Sequence, residues 1–187
     1  MPRLFIALKI PKDAREKIIA LRNEAMPDFH KYKWEPVEKI HLTLKFIGEV
    51  KNELVEDITE AIRFLEDYES FNCKLTKFGF FYRYKNPAVL WMGLAVDKNI
   101  DNLVERLNEV LEKFSIKSEK RKFSAHLTIK RLKGNEEKDF VDCFERYKVP
   151  EVKFKAGEAV LMESDVSPSG SKYKEIKNFY LKYLEEK

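Results

Sequence analysis

The sequence predicts an α+β fold with mainly antiparallel sheets, and three observations carry that expectation. Segments of strand-like alternation are interspersed with segments of helical spacing. Two of the strand segments, "HLTLKFIG" from His41 and "HLTIKRLKG" from His126, share one arrangement. No low-complexity stretch or Gly/Ser linker divides the chain, so the weak duplication suggests two packed lobes within a single domain spanning residues 1–187.

The elements follow in order. Arg3 to Lys9 alternates as a strand. Pro11 and Asp13 open a short amphipathic helix carrying Ala14, Ile18, Leu21 and Ala25. A polar, aromatic-dotted connection through Trp34 and Pro36 leads to the His41 strand, closed by Gly48. "KNELVEDITEAIRFLEDY" places Val55, Ile58, Ile62 and Leu65 on one helical face. Strands are expected at Phe71–Phe80 and Pro87–Ala95, separated by a loop "FYRYKN". Ile100, Leu103, Leu107, Leu111 and Phe114 mark a long helix before the His126 strand. A short helix around "NEEKDFVDCFERY", a strand from Val152 into Glu163, a turn at "SPSGS" and a last strand near Tyr173–Tyr183 complete the reading.

The chemistry concentrates in the repeat. The chain has three histidines and four threonines, and His41, Thr43, His126 and Thr128 occupy two matching tripeptides. Side chains alternate along a strand, so each His and Thr share a face while Leu42, Leu44, Leu127 and Ile129 point the other way. The imidazole and hydroxyl of each pair start about 6.6 Å apart, a span one phosphate bridges. Two such strands related by a pseudo-twofold would set one histidine on each side of a bound group. Displacement at phosphorus needs a base for the nucleophile and an acid for the leaving oxygen, and histidine titrates nearest neutral pH. Threonine hydroxyls can donate to non-bridging oxygens.

Other residues carry weaker signals. A lone His-Thr strand would be read as polar surface, but the repetition, with Lys45 and Lys130 each two residues after the threonine, favours function. His30 lacks such a context and reads as a surface histidine. Arg131 falls five residues after His126, which puts it on the opposite face unless the strand bulges or ends there. Its functional reading is a guanidinium fork for phosphate. "FFYRYK" from Phe80 mixes rings and cations suited to single-stranded RNA, although some of these rings are expected in the core. Backbone amides of "SPSGS" could approach a phosphate, but a hairpin turn explains its Gly and Pro equally well.

Several classes lack support. Two histidines without H-x-x-x-H or C-x-x-C spacing make a poor metal site. No phosphate-cradling or dinucleotide-binding glycine motif is present. Cys73 and Cys143 read as free packing thiols of a reducing cytoplasm, with a single buried bridge as the alternative. No apolar run approaches the roughly 20 residues of a membrane span, and the N-terminus lacks a cleavage signal. A net charge of +4 permits a phosphate-bearing partner without requiring one. The Lys/Glu bias and absence of glutamine resemble proteins from hot environments.

"HLTL" and "HLTI" closely resemble the signature of the two-histidine phosphoesterase superfamily. Together with "RLFIALKIP", "PAVLWMGL", "FSAHLTIKRL" and "VLMESDVSPSGSKY", they resemble its RNA 2′,3′-cyclic phosphodiesterase group, once named 2′-5′ RNA ligases. The resemblance implies a bilobed α+β fold with two pseudo-symmetric lobes, sheets lining a central cleft and helices outside. It implies cofactor-free hydrolysis of RNA 2′,3′-cyclic phosphate ends to 2′-phosphates, with tRNA fragments among the RNAs acted on. His41 would then be the proton donor to the leaving 3′ oxygen and His126 the proton acceptor that activates water. Thr43, Thr128 and Arg131 would bind the phosphate. Two other expectations stay open: 2′-5′ ligation of cyclic-phosphate to 5′-hydroxyl ends, and capture of RNA ends without turnover. A cytoplasmic monomer without membrane attachment is expected.

Overall fold

The N-terminal alternation forms β1 (Arg3–Lys9), which is buried on both faces. Leu4, Ile6 and Leu8 join the main core, while Phe5 and Ala7 join a small cluster with Val160 and Met162 on the other side. The computed structural model describes residues 1–119, 121–133, 138–167 and 170–183. Helix α1 (Lys12–Ala25) follows Pro11, and the four apolar residues expected on one face are all buried. β2 (His41–Glu49) then pairs antiparallel with β1.

Beyond β2 the expected long helix is shorter. α2 (Leu54–Ala61) tightens at Ile62 into a 3-10 turn (Arg63–Asp67), and this turn seats Ile62 and Leu65 in the core. β3 (Phe71–Arg83) and β4 (Asn86–Val96) run longer than expected. The "FYRYKN" loop reduces to Tyr84 and Lys85, with φ of 48° and 71°, the two-residue turn whose twist matches the flanking strands. Phe81, Tyr82 and Arg83 are therefore strand residues. α3 (Asn99–Glu112) buries Ile100, Leu103, Leu107 and Leu111, and Phe114 lies just past its end. β5 (His126–Arg131) and α4 (Lys138–Arg146) follow, with residues 135–137 of the expected last helix outside the described residues.

The expected strand from Val152 into Glu163 is two strands. β6 (Lys153–Ala156) pairs with β3, whereas β7 (Glu158–Ser167) pairs with β1 and with β8 (Gly170–Tyr180). Gly157 is the break, where a Cβ would lie 2.6 Å from the Tyr183 ring. Of the "SPSGS" turn, Pro168 and Ser169 lie outside the described residues.

The eight described strands form one antiparallel sheet in the order β6-β3-β4-β5-β2-β1-β7-β8. Its two four-stranded halves meet at the centre, where β2 and β5 pair at Leu42 and Leu127. The expected pseudo-symmetry is present: β1-α1-β2 and β4-α3-β5 are each two adjacent antiparallel strands joined through a helix. The lobes are not successive in sequence, however, because the last hairpin, β7-β8, returns to complete the half containing β1 and β2. Far edges of the sheet come near each other without closing, through Gly157 and a parallel bridge between Glu69 and Lys182. Apolar faces of all four helices pack with Leu42 and Leu127 in the main core, leaving the opposite face of the two central strands for the site. Among the described residues, no helix is long and apolar enough to cross a membrane.

Candidate active site

The single Leu42–Leu127 pair sets the geometry of the repeated tripeptides. Carried one residue each way, its antiparallel register places His41 opposite Thr128 and Thr43 opposite His126. The four side chains stand at the corners of a rectangle, with histidines on one diagonal and threonines on the other. About 6.6 Å along the strand and 5 Å across it give a diagonal of roughly 8 Å between histidine Cα atoms. The two leucines point into the core, so the four polar side chains turn to the other face.

A cavity of about 510 Å³ opens on that face, and His41, Thr43, His126, Thr128 and Arg131 all line it. Arg131 reaches it through a bulge. Trp91 pairs with Thr128 and Leu90 with Lys130, so Ile129 is the extra residue. The inserted residue reverses the alternation, and Arg131, opposite Val89 on the cavity wall, faces the same way as Thr128. Strand β2 carries the counterpart. Ala7 pairs with Thr43 and Ile6 with Lys45, which makes Leu44 the extra residue and turns Phe46 into the cavity. Phe46 thus occupies on β2 the place that Arg131 occupies on β5. Neither Lys45 nor Lys130 lines this cavity, so the lysines that strengthened the repeat in the sequence do not meet a bound phosphate there.

The two imidazoles have different surroundings. His41 packs against Phe5, with ring centres 5.1 Å apart, and meets Tyr173 edge-on at 5.5 Å. Burial pushes its pKa down from 6.5 to about 4; the nearby Lys39 carbonyl opposes this, and the positive charge of Arg131 adds to it. His41 Nδ1 is buried and makes no hydrogen bond of good geometry. His126 instead donates from Nδ1 to the Ser124 carbonyl at 2.8 Å, because a carbonyl only accepts. In the neutral ring that bond places the hydrogen on Nδ1 and the lone pair on Nε2. Phe81 meets the His126 ring edge-on at 4.8 Å and itself rests 5.5 Å from Trp91. Gly79 and Gly93 leave the room Trp91 needs, since a Cβ at either would meet its ring.

Several cavity residues lie outside the repeated tripeptides. Phe5, Glu35, Lys39, Ser164 and Tyr173 come from β1, the connection before β2, β7 and β8. Lys39 and Glu35 form an ion pair at 3.7 Å, and the Lys39 ammonium lies 5.8 Å from the centre of the Tyr173 ring. A second cavity, of about 680 Å³, adjoins the first through Thr43, Phe46, Phe81 and His126. His41 does not line it.

Ser171 of the "SPSGS" segment and Phe81 of "FFYRYK" line the cavity, whereas the cysteines stay outside it. Both cysteines are free, and burial, with Asp97 adding to it, pushes the Cys73 thiol up to about 12. Among the described residues, no three His, Cys, Asp or Glu side chains group so as to hold a metal ion.

Comparison with known proteins assigns this architecture. The chain is 28% identical over 173 residues to an RNA 2′,3′-cyclic phosphodiesterase of Thermotoga maritima, covering 92% of this chain and 91% of that protein. It is 30% identical to the protein of the same name from Methanocaldococcus jannaschii, covering 95% and 99% respectively. A crystal structure from Thermus thermophilus superposes with a TM-score of 0.77 at 24% identity, covering 95% of this chain and 97% of that one. The structure of Escherichia coli LigT complexed with 3′-AMP superposes with a TM-score of 0.74 at 23% identity, covering 96% and 98%. The model of the LigT-like phosphoesterases matches residues 8–91 and 94–173, one stretch through each histidine strand. With both His-Thr tripeptides inside those stretches, which together span most of the sequence, the chain belongs to the LigT-like phosphoesterase family.

Proposed function

We propose that the protein hydrolyses 2′,3′-cyclic phosphate ends of RNA, tRNA fragments among them, to 2′-phosphates. The observation that carries this reading is the diagonal placement of two histidines and two threonines around one cavity. A phosphate at the centre of the rectangle would have one imidazole on each side and a hydroxyl beside each. The Thermotoga and Methanocaldococcus relatives are each named RNA 2′,3′-cyclic phosphodiesterase, which supports a cyclic-phosphate substrate.

In the proposed step, His126 Nε2 accepts a proton from water as the water oxygen attacks phosphorus. The bond from phosphorus to O3′ breaks on the far side, and His41 gives O3′ its proton. Thr43 and Thr128 donate to the non-bridging oxygens, and Arg131 supplies a charge-assisted pair of hydrogen bonds. The depressed pKa of His41 opposes this assignment in the free protein, since a proton donor must begin protonated. A bound phosphate anion raises that pKa by direct attraction, and the donor role requires this attraction to load the ring once substrate is in place.

A dinucleotide ending in a 2′,3′-cyclic phosphate, incubated in excess chelator, tests the reading. Opening to the 2′-phosphate, with a bell-shaped pH profile, supports it; the 3′-phosphate as product or unchanged substrate rejects it. The second cavity favours one alternative, 2′-5′ ligation. It borders His126 and not His41, so it lies on the side from which the nucleophile approaches and has room for a nucleoside with a 5′-hydroxyl. Adding a 5′-hydroxyl RNA and looking for a joined product separates the two reactions.

A further inference from the structure

Lys45 and Lys130 occupy matching places in the repeat but neither lines the cavity of the two His-Thr pairs; Lys45 borders the adjoining second cavity instead. The bulges at Leu44 and Ile129 turn them to the helix-covered face, opposite Ile6 and Leu90 of the core. Lys45 is only 2% exposed. An ammonium in such a place is costly, and a leucine or methionine would fill the same space without that cost. Burial pulls the Lys45 pKa down, against the attraction of Glu119 and Glu112.

Both lysines bind the same kind of partner. Lys45 Nζ donates to the Lys117 carbonyl at 2.7 Å, and Lys130 Nζ donates to the Lys33 carbonyl at 2.7 Å. Lys117 lies in the connection that enters β5, and Lys33 in the connection that enters β2. Each histidine strand therefore reaches across the pseudo-twofold and holds the segment leading into the other. Those segments end in the carbonyls beside the histidine rings, Ser124 at His126 and Lys39 at His41. The Lys33 segment is fixed further by its neighbour Trp34, whose face lies 5.7 Å from Lys130 Nζ and 4.5 Å from the Arg22 guanidinium.

We propose that Lys45 and Lys130 are positioning residues acting crosswise: Lys45 sets the orientation of His126, and Lys130 sets that of His41. The inference rests on the two-histidine reading of the site, but its main test does not depend on turnover. The arrangement makes the two halves interdependent, because the donor and the acceptor are each seated by the strand that carries the other.

The test compares Lys45→Met and Lys130→Met, which keep the apolar stem and remove the donor. Ring nitrogen NMR signals of His41 and His126 are recorded alongside kcat and KM on the cyclic-phosphate dinucleotide. Lys130→Met is expected to move the His41 ring signals and leave those of His126 in place, and Lys45→Met to do the reverse. In each variant kcat falls roughly 10-fold to 10²-fold with KM little changed. Signals that move for the histidine on the variant's own strand, for both rings alike, or for neither overturn the proposal, as does an unchanged kcat. Should Lys45→Met fail to fold, the partly exposed Lys130 carries the decision alone. Inactivity of the wild-type protein would reject the proposed reaction and leave the crosswise ring shifts to be judged separately.

Discussion

Strands β2 and β5 carry nearly the same hexapeptide, HLTLKF and HLTIKR, and fold it the same way, with a bulge after the threonine in each. Their surroundings differ. His41 is enclosed by Phe5 and Tyr173, on strands from both ends of the chain, and its proton affinity drops. His126 touches Phe81 along one edge and has its Nδ1 committed to a backbone carbonyl. At the sixth position one strand offers an apolar ring and the other a guanidinium. Duplication thus supplies the frame, and the neighbours make the two copies electrostatically different. The wall around a histidine decides its charge, while the strand decides only which way it points.

The comparison breaks most plainly if the histidines prove dispensable. His41→Ala and His126→Ala are each expected to lower kcat on a cyclic-phosphate dinucleotide by about 10²-fold or more. If either retains full activity, the paired roles fail. Arg131 and Phe46 sharpen the asymmetry at the sixth position. Arg131→Ala should lower kcat/KM by about 10-fold to 10²-fold, the range expected for losing charge-assisted hydrogen bonds.

The contrast in burial is open to a stability measurement. His41 has a folded pKa of about 4 against 6.5 when unfolded, so the unfolded chain binds the extra proton between those values. Stability from keeping this ring neutral is intact above pH 6.5 and declines as pH falls toward 4, by on the order of 3 kcal/mol. Urea unfolding from pH 7 to 4 should show that slope, and His41→Gln should flatten it. A slope unchanged by the substitution would show that the ring is not buried as described.

Smaller effects are expected at the remaining corners. Thr43→Ala and Thr128→Ala should each cost about 10-fold in kcat, as expected for losing one neutral hydroxyl donor to the phosphate. Phe46→Ala should change kcat/KM on a dinucleotide by no more than about 3-fold, since it removes no charge from the phosphate. A loss there as large as for Arg131→Ala would remove the distinction between the two sixth positions.

Much of this is readable from residue order, and the limits have identifiable causes. Strand alternation has a period of two, so sharing of a face by His41 and Thr43, and by His126 and Thr128, follows from the spacing alone. That rule holds up to the first bulge. Beyond it the sequence puts Arg131 on the wrong face and groups Lys45 and Lys130 with the chemistry, because an inserted residue leaves no mark in an apolar run. Helical spacing locates α1 and α3, since their buried residues repeat at constant intervals. It overruns at α2, where Ile62 and Leu65 are buried by a tighter turn that preserves the same apolar pattern. The strand expected through Gly157 has no visible break because both sides alternate alike, although β6 and β7 pair in different halves.

Composition, period and a duplicated tripeptide were enough to determine the class of fold, the two strands that matter and the four polar side chains facing one way from each pair. These depend on local backbone geometry, which acts over a few residues and is written directly in their order. Only the folded chain decided that the tripeptides cross at Leu42 and Leu127, that Arg131 joins them, and that His41 is the histidine whose charge is suppressed. Those outcomes depend on partners brought from distant segments, Phe5 and Tyr173 above all, and burial is a property of the assembled neighbourhood that no single stretch of sequence contains.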